Sequence, residues 1–240
     1  MVDLAPLAWP SVGEDNLVLV PVGSTEQHGP HLPLDTDTTI ALEVARAVAA
    51  RLDGSPGRTV VAPAVTYGSS GEHQSFAGTV SIGADVLRAV LVELVRSLTT
   101  WAGRVVLVNG HGGNVGALKE AVGRLRLEGH DVVWVACAPR GTDAHAGFTE
   151  TSLMLHLRPE HVRLDLAEVG NTAALSDLLP HLMRLGVRAM APNGVLGDPT
   201  GATEQDGRRL FDQMVDDVHA AIDAGSIDAG GRVRTSVPAA

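Results

Sequence analysis

The chain has 240 residues, 45% of them hydrophobic and 19% charged, with a formal net charge of -10. That length supports one sizeable core, and an apolar fraction made mostly of Val, Leu and Ala belongs to a folding chain with buried strands rather than a disordered one. The acidic balance, with no cluster of Lys and Arg, excludes a phosphate-neutralising nucleic-acid surface.

The one cysteine, Cys137, has no internal disulfide partner and sits in the apolar run Val132-Val133-Trp134-Val135-Ala136-Cys137, which reads as a buried structural thiol. No segment reaches the roughly 18 to 20 apolar residues that span a bilayer. The N-terminus lacks a basic stretch followed by an apolar one, so the cytoplasm is the expected location and no membrane partner is expected.

Leu17 to Gly23 is a short apolar run closed by glycine and reads as a buried strand that delivers a polar loop to its C-terminal end. Helical spacing of Ile40, Val44, Ala47 and Val48 predicts a helix over residues 38–52, stopped by Asp53-Gly54-Ser55-Pro56-Gly57. Thr59 to Pro63 is a second strand, followed by a Gly-rich polar stretch, residues 67–79, that reads as a functional loop. Asp85 to Trp101 is an amphipathic helix, and Arg104 to Gly110 a third strand, ending in Gly-His-Gly-Gly-Asn.

Val115 to Leu127 is helical, with Asn114 as its expected N-cap, and Val132 to Cys137 is a fourth strand. A loop then carries Asp143, His145, Gly147 and Glu150 before a helix over Thr151 to Leu157. Four strand-then-helix units point to a parallel sheet with helices on both faces, and in such sheets ligands bind beyond the carboxyl ends of the strands. Further helices are expected over Thr172 to Leu185 and Glu204 to Ile222. One domain over residues 1–225 and a loose tail over residues 226–240 complete the expected organisation.

The polar loops carry the chemistry. Glu26, His28, His31, Asp35 and Asp37 are interleaved with Gly29, Pro30 and Pro33, which stiffen the loop without giving a packing reason for the charges. A single such residue is an ordinary solvated side chain; five on one stiff loop after a buried strand need a cation. His and carboxylate together suit zinc, iron or manganese.

His111 stands between glycines at the next strand end, where a phosphate-cradling turn is the weaker alternative because no Lys or Ser/Thr follows at the required place. His145 is placed to move a proton and Glu150 to complete a metal site. Ser24 and Ser70 lack a nucleophile-elbow context, so a water activated by a divalent ion, with its pKa lowered to about 7, is the better nucleophile.

These segments resemble the creatininase family of metal-dependent amidohydrolases. The run Gly23-Ser24-Thr25-Glu26-Gln27-His28-Gly29-Pro30-His31-Leu32-Pro33, the Thr36-Asp37 pair, Gly-His-Gly-Gly-Asn from Gly110, and His-x-Gly-x-x-Glu-Thr-Ser from His145 occur in family order over about residues 10–220. The resemblance implies an α/β three-layer sandwich with a mostly parallel central sheet flanked by helices, and two divalent metal ions per subunit. In it, Asp37 bridges, Glu26 and His111 hold one ion, and His28 helps to hold the other. It also implies a homo-oligomer, a hexamer or larger.

In creatininase itself a glutamate ligand follows the strand-end His by two positions, where this chain has Gly113. Glu150 is therefore the expected replacement, serving as ligand and, with His145, in catalysis. Ser70, Glu72, His73, Gly112 and Gly113 are the expected substrate contacts. The same departure argues against creatinine as substrate.

Gly71-Glu72-His73, Gly170-Asn171-Thr172-Ala173 and residues 195–200 look more like family members that hydrolyse a modified precursor peptide near its C-terminus, releasing a cyclised Val-Tyr unit for a redox cofactor. The alternative substrates are creatinine or a formamidopyrimidine flavin precursor. A closed structural metal site, the reading from another class, fits poorly, because such sites favour Cys ligands.

Overall fold

In the computed structural model, which describes residues 2–52, 58–139 and 143–235, the apolar runs become the strands of one parallel sheet. Strands β1 (Val2–Asp3), β2 (Asn16–Val22), β3 (Thr59–Val61), β4 (Ala102–Asn109) and β5 (Val132–Ala136) lie in the order β1-β3-β2-β4-β5. Every pairing is parallel, with Val20 opposite Leu107 and Leu107 opposite Trp134. Parallel neighbours need a crossover between them, which is why helices intervene. The two-residue edge strand β1 is too short to carry a sequence signal.

Both faces of the sheet are covered, which explains why its central strands read as unbroken apolar runs. Leu19, Val61, Val106, Val108, Val133 and Val135 point to one layer, formed by α1 (Thr36–Arg51), α4 (Phe148–Leu157) and α7 (Glu204–Ala224). Val18, Val20, Val60, Val105, Leu107 and Trp134 point to the other, formed by α2 (Ala84–Leu98) and α3 (Val115–Leu127). Each buried Val or Leu contributes on the order of 1.5–3 kcal/mol of burial free energy. The expected three-layer α/β sandwich is therefore what the chain forms.

Two of the element boundaries that differ from expectation move a site residue. Helix α1 begins at Thr36, two residues early, so Asp37 sits in its first turn and not on the loop. Helix α4 begins at Phe148, so Glu150 lies in its first turn, where the exposed N–H groups of a helix start favour a carboxylate. Asp143 Oδ1 accepts from Thr149 N at 3.1 Å and helps to start that helix early.

Farther along, α5 (Leu175–Leu185) starts three residues later than expected and a short α6 (Val187–Met190) follows it. Residues 226–235, expected as loose tail, instead include the antiparallel pair β6 (Ser226–Ile227) and β7 (Val233–Arg234). They are tied down because Trp134 Nε1 donates to Gly230 O at 2.9 Å and Trp134 N to Gly231 O at 3.0 Å. Residues 53–57, expected to stop the first helix, and 236–240 lie outside the described residues.

Strand β2 leads to β3 on one side while β4 lies on its other side, so the strand order reverses at β2. That reversal opens a crevice at the carboxyl ends of β2 and β4. Glycines bring the strand ends against α1: a Cβ on Gly23 would lie 2.3 Å from Thr38 Oγ1, and one on Gly110 would lie 2.5 Å from Asp37 O. Gly110→Ala is expected to push the first turn of α1 outward. It should cost on the order of 1–3 kcal/mol in urea unfolding, as overpacking does, and should weaken zinc binding measured by competition with a chelator.

Candidate metal centre

Three loops at the strand ends converge on Asp37, which α1 presents from its first turn. Asp37 Oδ1 is 3.2 Å from His28 Nε2, and Asp37 Oδ2 is 3.1 Å from His111 Nδ1. Ser24 Oγ donates to Asp37 Oδ2 at 2.8 Å and fixes the carboxylate plane. One carboxylate thus faces two imidazoles with its two oxygens.

Glu26 flanks one side, with Oε2 at 3.2 Å from His111 Nε2. Glu150 flanks the other, with Oε2 at 3.8 Å from His28 Nε2. Glu150 Oε2 also accepts from Ala146 N at 2.6 Å. Ala146 reaches that position at φ 53°, a conformation costly for a residue with a Cβ and typical of functional loops. His28 Nδ1 lies 3.1 Å from Glu26 O, which can only accept, so Nδ1 carries a proton, and Nε2 is the nitrogen that faces Asp37 and Glu150.

Three overlapping groups of closely spaced donor atoms result: Glu26, Asp37 and His111; His28, Asp37 and Glu150; and Glu26, His28 and His145. Both carboxylate oxygens of Glu26 are buried with no hydrogen-bond partner among the described residues. An unpaired buried carboxylate is costly, and a cation beside it removes the cost. The oxygen-rich, imidazole-containing donor set therefore fits a divalent metal.

The titration behaviour follows the same logic. Burial raises the Glu26 carboxyl to about 7, against the pull of His111 and His28, and burial likewise raises Glu150 to about 7. Burial opposes protonation of His28 and His111, yet Asp37 and Glu26 outweigh it and hold each at about 10. Asp37 is held well below the usual range because the two imidazoles outweigh its burial. Without a cation, protons on His28 and His111 supply the positive charge.

Of the other expected residues, Ser70 is buried with Oγ 3.4 Å from His111 Nε2, and His73 Nε2 is 3.4 Å from Glu26 Oε1. His145 Nδ1 is 3.8 Å from the same oxygen. Glu72 Oε1 lies 3.8 Å from His111 Nε2 with 29% of its side chain exposed. Gly112 is exposed at the rim.

A Cβ on Gly113 would lie 2.3 Å from Ser69 O, 2.5 Å from His111 Nε2 and 2.8 Å from Glu72 Oε1. An acid at that position would thus project beside His111, and the carboxylate already there is Glu72. Glu150, the expected replacement, lies with Oε2 3.8 Å from His28 Nε2, on the side of Asp37 away from His111.

Two loop charges do not join the site. Asp35 is exposed beside the start of α1, and buried His31 turns away to bond Thr151 Oγ1 at 2.8 Å. Asn114 stands at the expected N-cap position of α3 but makes no side-chain capping bond; instead Nδ2 donates to Gly23 O at 2.9 Å and Oδ1 accepts from Ser69 N at 2.9 Å, which locks three loops together. Cys137 is buried, and burial pushes its thiol up to about 12, as suits a structural cysteine. Gln27, the one residue between Glu26 and His28, is neutral and gives no charge signal in the sequence, yet it bonds both His73 and the loop at Gly194.

Residues 5–222 match the family model described as creatininase, creatinine amidohydrolase. The chain belongs to the creatininase family. It is 58% identical over 217 residues to a mycofactocin precursor peptide peptidase of Mycobacterium ulcerans (strain Agy99), covering 88% of this chain and 84% of that one.

Among solved structures of the family, a creatininase described as Mn aligns with TM-score 0.75 at 27% identity, covering 92% of this chain and 97% of that one. A mutant creatininase described as Zn-Zn type aligns with TM-score 0.74 at 27% identity, covering 91% and 96%. Like these creatininases, the chain is a hydrolase of amide C–N bonds.

The imidazole protons give a pH test with a defined sign. In metal-free protein, groups raised to about 10 bind protons that the unfolded chain releases above its ordinary value of 6.5, so stability falls as pH rises through that window. Metal displaces those protons and removes the dependence. The Tm difference between zinc-loaded and chelator-treated protein is therefore expected to widen from pH 6.5 to pH 9.

Proposed function

We propose that this chain is a metal-dependent peptidase that cleaves the modified mycofactocin precursor peptide near its C-terminus, releasing the cyclised Val-Tyr unit. The observation that carries the substrate is the 58% identity to a peptidase of that name across 88% of the chain. Glu26, Asp37 and His111 would hold one divalent ion, and His28, Asp37 and Glu150 a second, with zinc, iron or manganese as occupants. Such ions supply Lewis-acid polarisation of the scissile carbonyl and activation of water.

The residues of the chain supply the rest. His145, buried beside Glu26, takes the proton of the attacking water and returns it to the departing amine, as cleavage of a secondary amide requires. Ser70, His73 and Glu72 line the approach beside His111, and Gly112 and Gly113 leave room at the rim. An elongated substrate is supported by a cavity of about 530 Å³ lined by Asp143, Ala144, Thr172, Leu196, Asp198 and Gln213, across the His145–Leu196 backbone pair from the site.

Residues 1–225 form the working creatininase-like domain in this reading, and the protein acts in the cytoplasm. No helix among the described residues is long and apolar enough to cross a membrane. A homo-oligomer, a hexamer or larger, accounts for the exposed Leu175, Leu179, Met183 and Leu185 around α5.

The test is incubation of the zinc- or iron-loaded protein with modified precursor peptide, unmodified peptide and creatinine, followed by mass analysis. Release of a C-terminal fragment from modified peptide alone is the expected result; turnover of creatinine alone would overturn the reading. Glu150→Gln is expected to lower metal content toward one ion per subunit and activity on the order of 10- to 100-fold, and full retention of both would remove Glu150 from the site.

A further inference from the structure

We infer that Gln27 is a positioning residue whose side-chain amide and backbone carbonyl fix which nitrogen of His73 and which nitrogen of His145 carries the proton. It thereby sets one donor and one acceptor around Glu26. Gln27 is buried at 5% exposure, and its neighbours come from three other loops. Its Oε1 accepts from Gly29 N at 2.9 Å, which fixes the oxygen end of the amide and turns Nε2 inward.

Nε2 has two hydrogens and three neighbours: Gly194 O at 3.0 Å, His73 Nδ1 at 2.9 Å and His145 Nε2 at 3.0 Å. The count is decided by a fourth contact. His145 Nε2 also lies 2.9 Å from the backbone oxygen of Gln27, which can only accept, so that nitrogen carries hydrogen. Its approach to Gln27 Nε2 is then a contact of two donors, and the two amide hydrogens go to Gly194 O and His73 Nδ1.

Both rings are therefore assigned. His73 accepts at Nδ1 and carries its proton on Nε2, 3.4 Å from Glu26 Oε1. His145 donates at Nε2 and turns a bare Nδ1 toward the same oxygen, 3.8 Å away. A bare nitrogen beside an acceptor-only oxygen leaves a gap for something electropositive, a cation or a proton taken from water. The two rings pack against each other, with centroids 4.4 Å apart and planes tilted by 46°.

The backbone around Gln27 is built for this arrangement. Gly194 has φ 82°, and a Cβ there would lie 1.9 Å from Gln27 Oε1; Gly29, which holds that oxygen, has φ 67°. Left-handed backbone at both places is cheap only for glycine.

The inference rests on the proposed peptidase reaction only for its turnover readout. The primary test is a long-range proton–nitrogen correlation spectrum of histidine-15N-labelled, metal-free protein at pH 8, with His73 and His145 assigned from His73→Gln and His145→Gln. Both rings are expected to show the Nε2-protonated pattern, and a proton on Nδ1 of either would overturn the inference whatever the substrate is.

Gln27→Glu places a second acceptor against His73 Nδ1 and is expected to move that proton to Nδ1; an unchanged His73 pattern in the folded variant would also overturn it. With modified peptide, kcat of Gln27→Glu and of Gln27→Met should fall on the order of 10- to 100-fold with KM little changed. Equal loss in KM alone would mark Gln27 as a substrate contact instead. If neither variant folds, the wild-type spectrum still decides.

Discussion

Both carboxylate oxygens of Glu26 are buried and make no hydrogen bond among the described residues, and much of the surrounding structure is organised by the cost of that one charge. Imidazole nitrogens of His73, His111 and His145 stand within 3.2–3.8 Å of it without any of them closing a hydrogen bond. A carboxylate in this position is kept only by a cation, or by a proton while the cation is away. The raised values of Glu26, His28 and His111 and the depressed value of Asp37 are four expressions of that requirement. Folding alone would favour an apolar residue at position 26, so function maintains the charge.

The fold meets this requirement through placement. A parallel sheet whose order reverses at β2 opens a crevice between the carboxyl ends of β2 and β4, and the loops that follow them supply Glu26, His28 and His111. Asp37 comes from the first turn of α1, and Glu150 from the first turn of α4, so the two carboxylates flanking His28 sit on rigid elements. Gly23 and Gly110 let α1 close on the strand ends, and Asn114 and Gln27 tie the loops to each other through neutral amides. The charged groups are held by uncharged ones, which add no further charge to be balanced.

Much of this was legible in the sequence. The four main strands could be read because burial on both faces leaves continuous Val and Leu runs, and the polar loops because so many ionisable groups on a stiff backbone have no packing explanation. Glu26, His28, Asp37, His111 and Glu150 were singled out on those grounds and by resemblance, and the fold brings them together.

What escaped was set by long-range packing. The early starts of α1 and α4 depend on contacts such as Asp143 to Thr149 that no local pattern encodes. The hairpin after α7 depends on Trp134, 96 residues before its partner Gly230. The carboxylate beside Gly113 comes from Glu72 on another loop, which only three dimensions show. Gln27 is silent in the sequence because a neutral side chain carries no charge signal; its place is set by the hydrogen bonds of its amide.

In the proposed site Asp37 would be shared by two cation positions, one completed by Glu26 and His111 and the other by His28 and Glu150. Anomalous diffraction at the zinc edge from crystals grown with zinc tests it directly. The expected map has two peaks on either side of Asp37, roughly 3.5 to 4 Å apart as in two-metal sites. A map with no peak at Asp37, or with zinc held only elsewhere on the chain, would contradict the account.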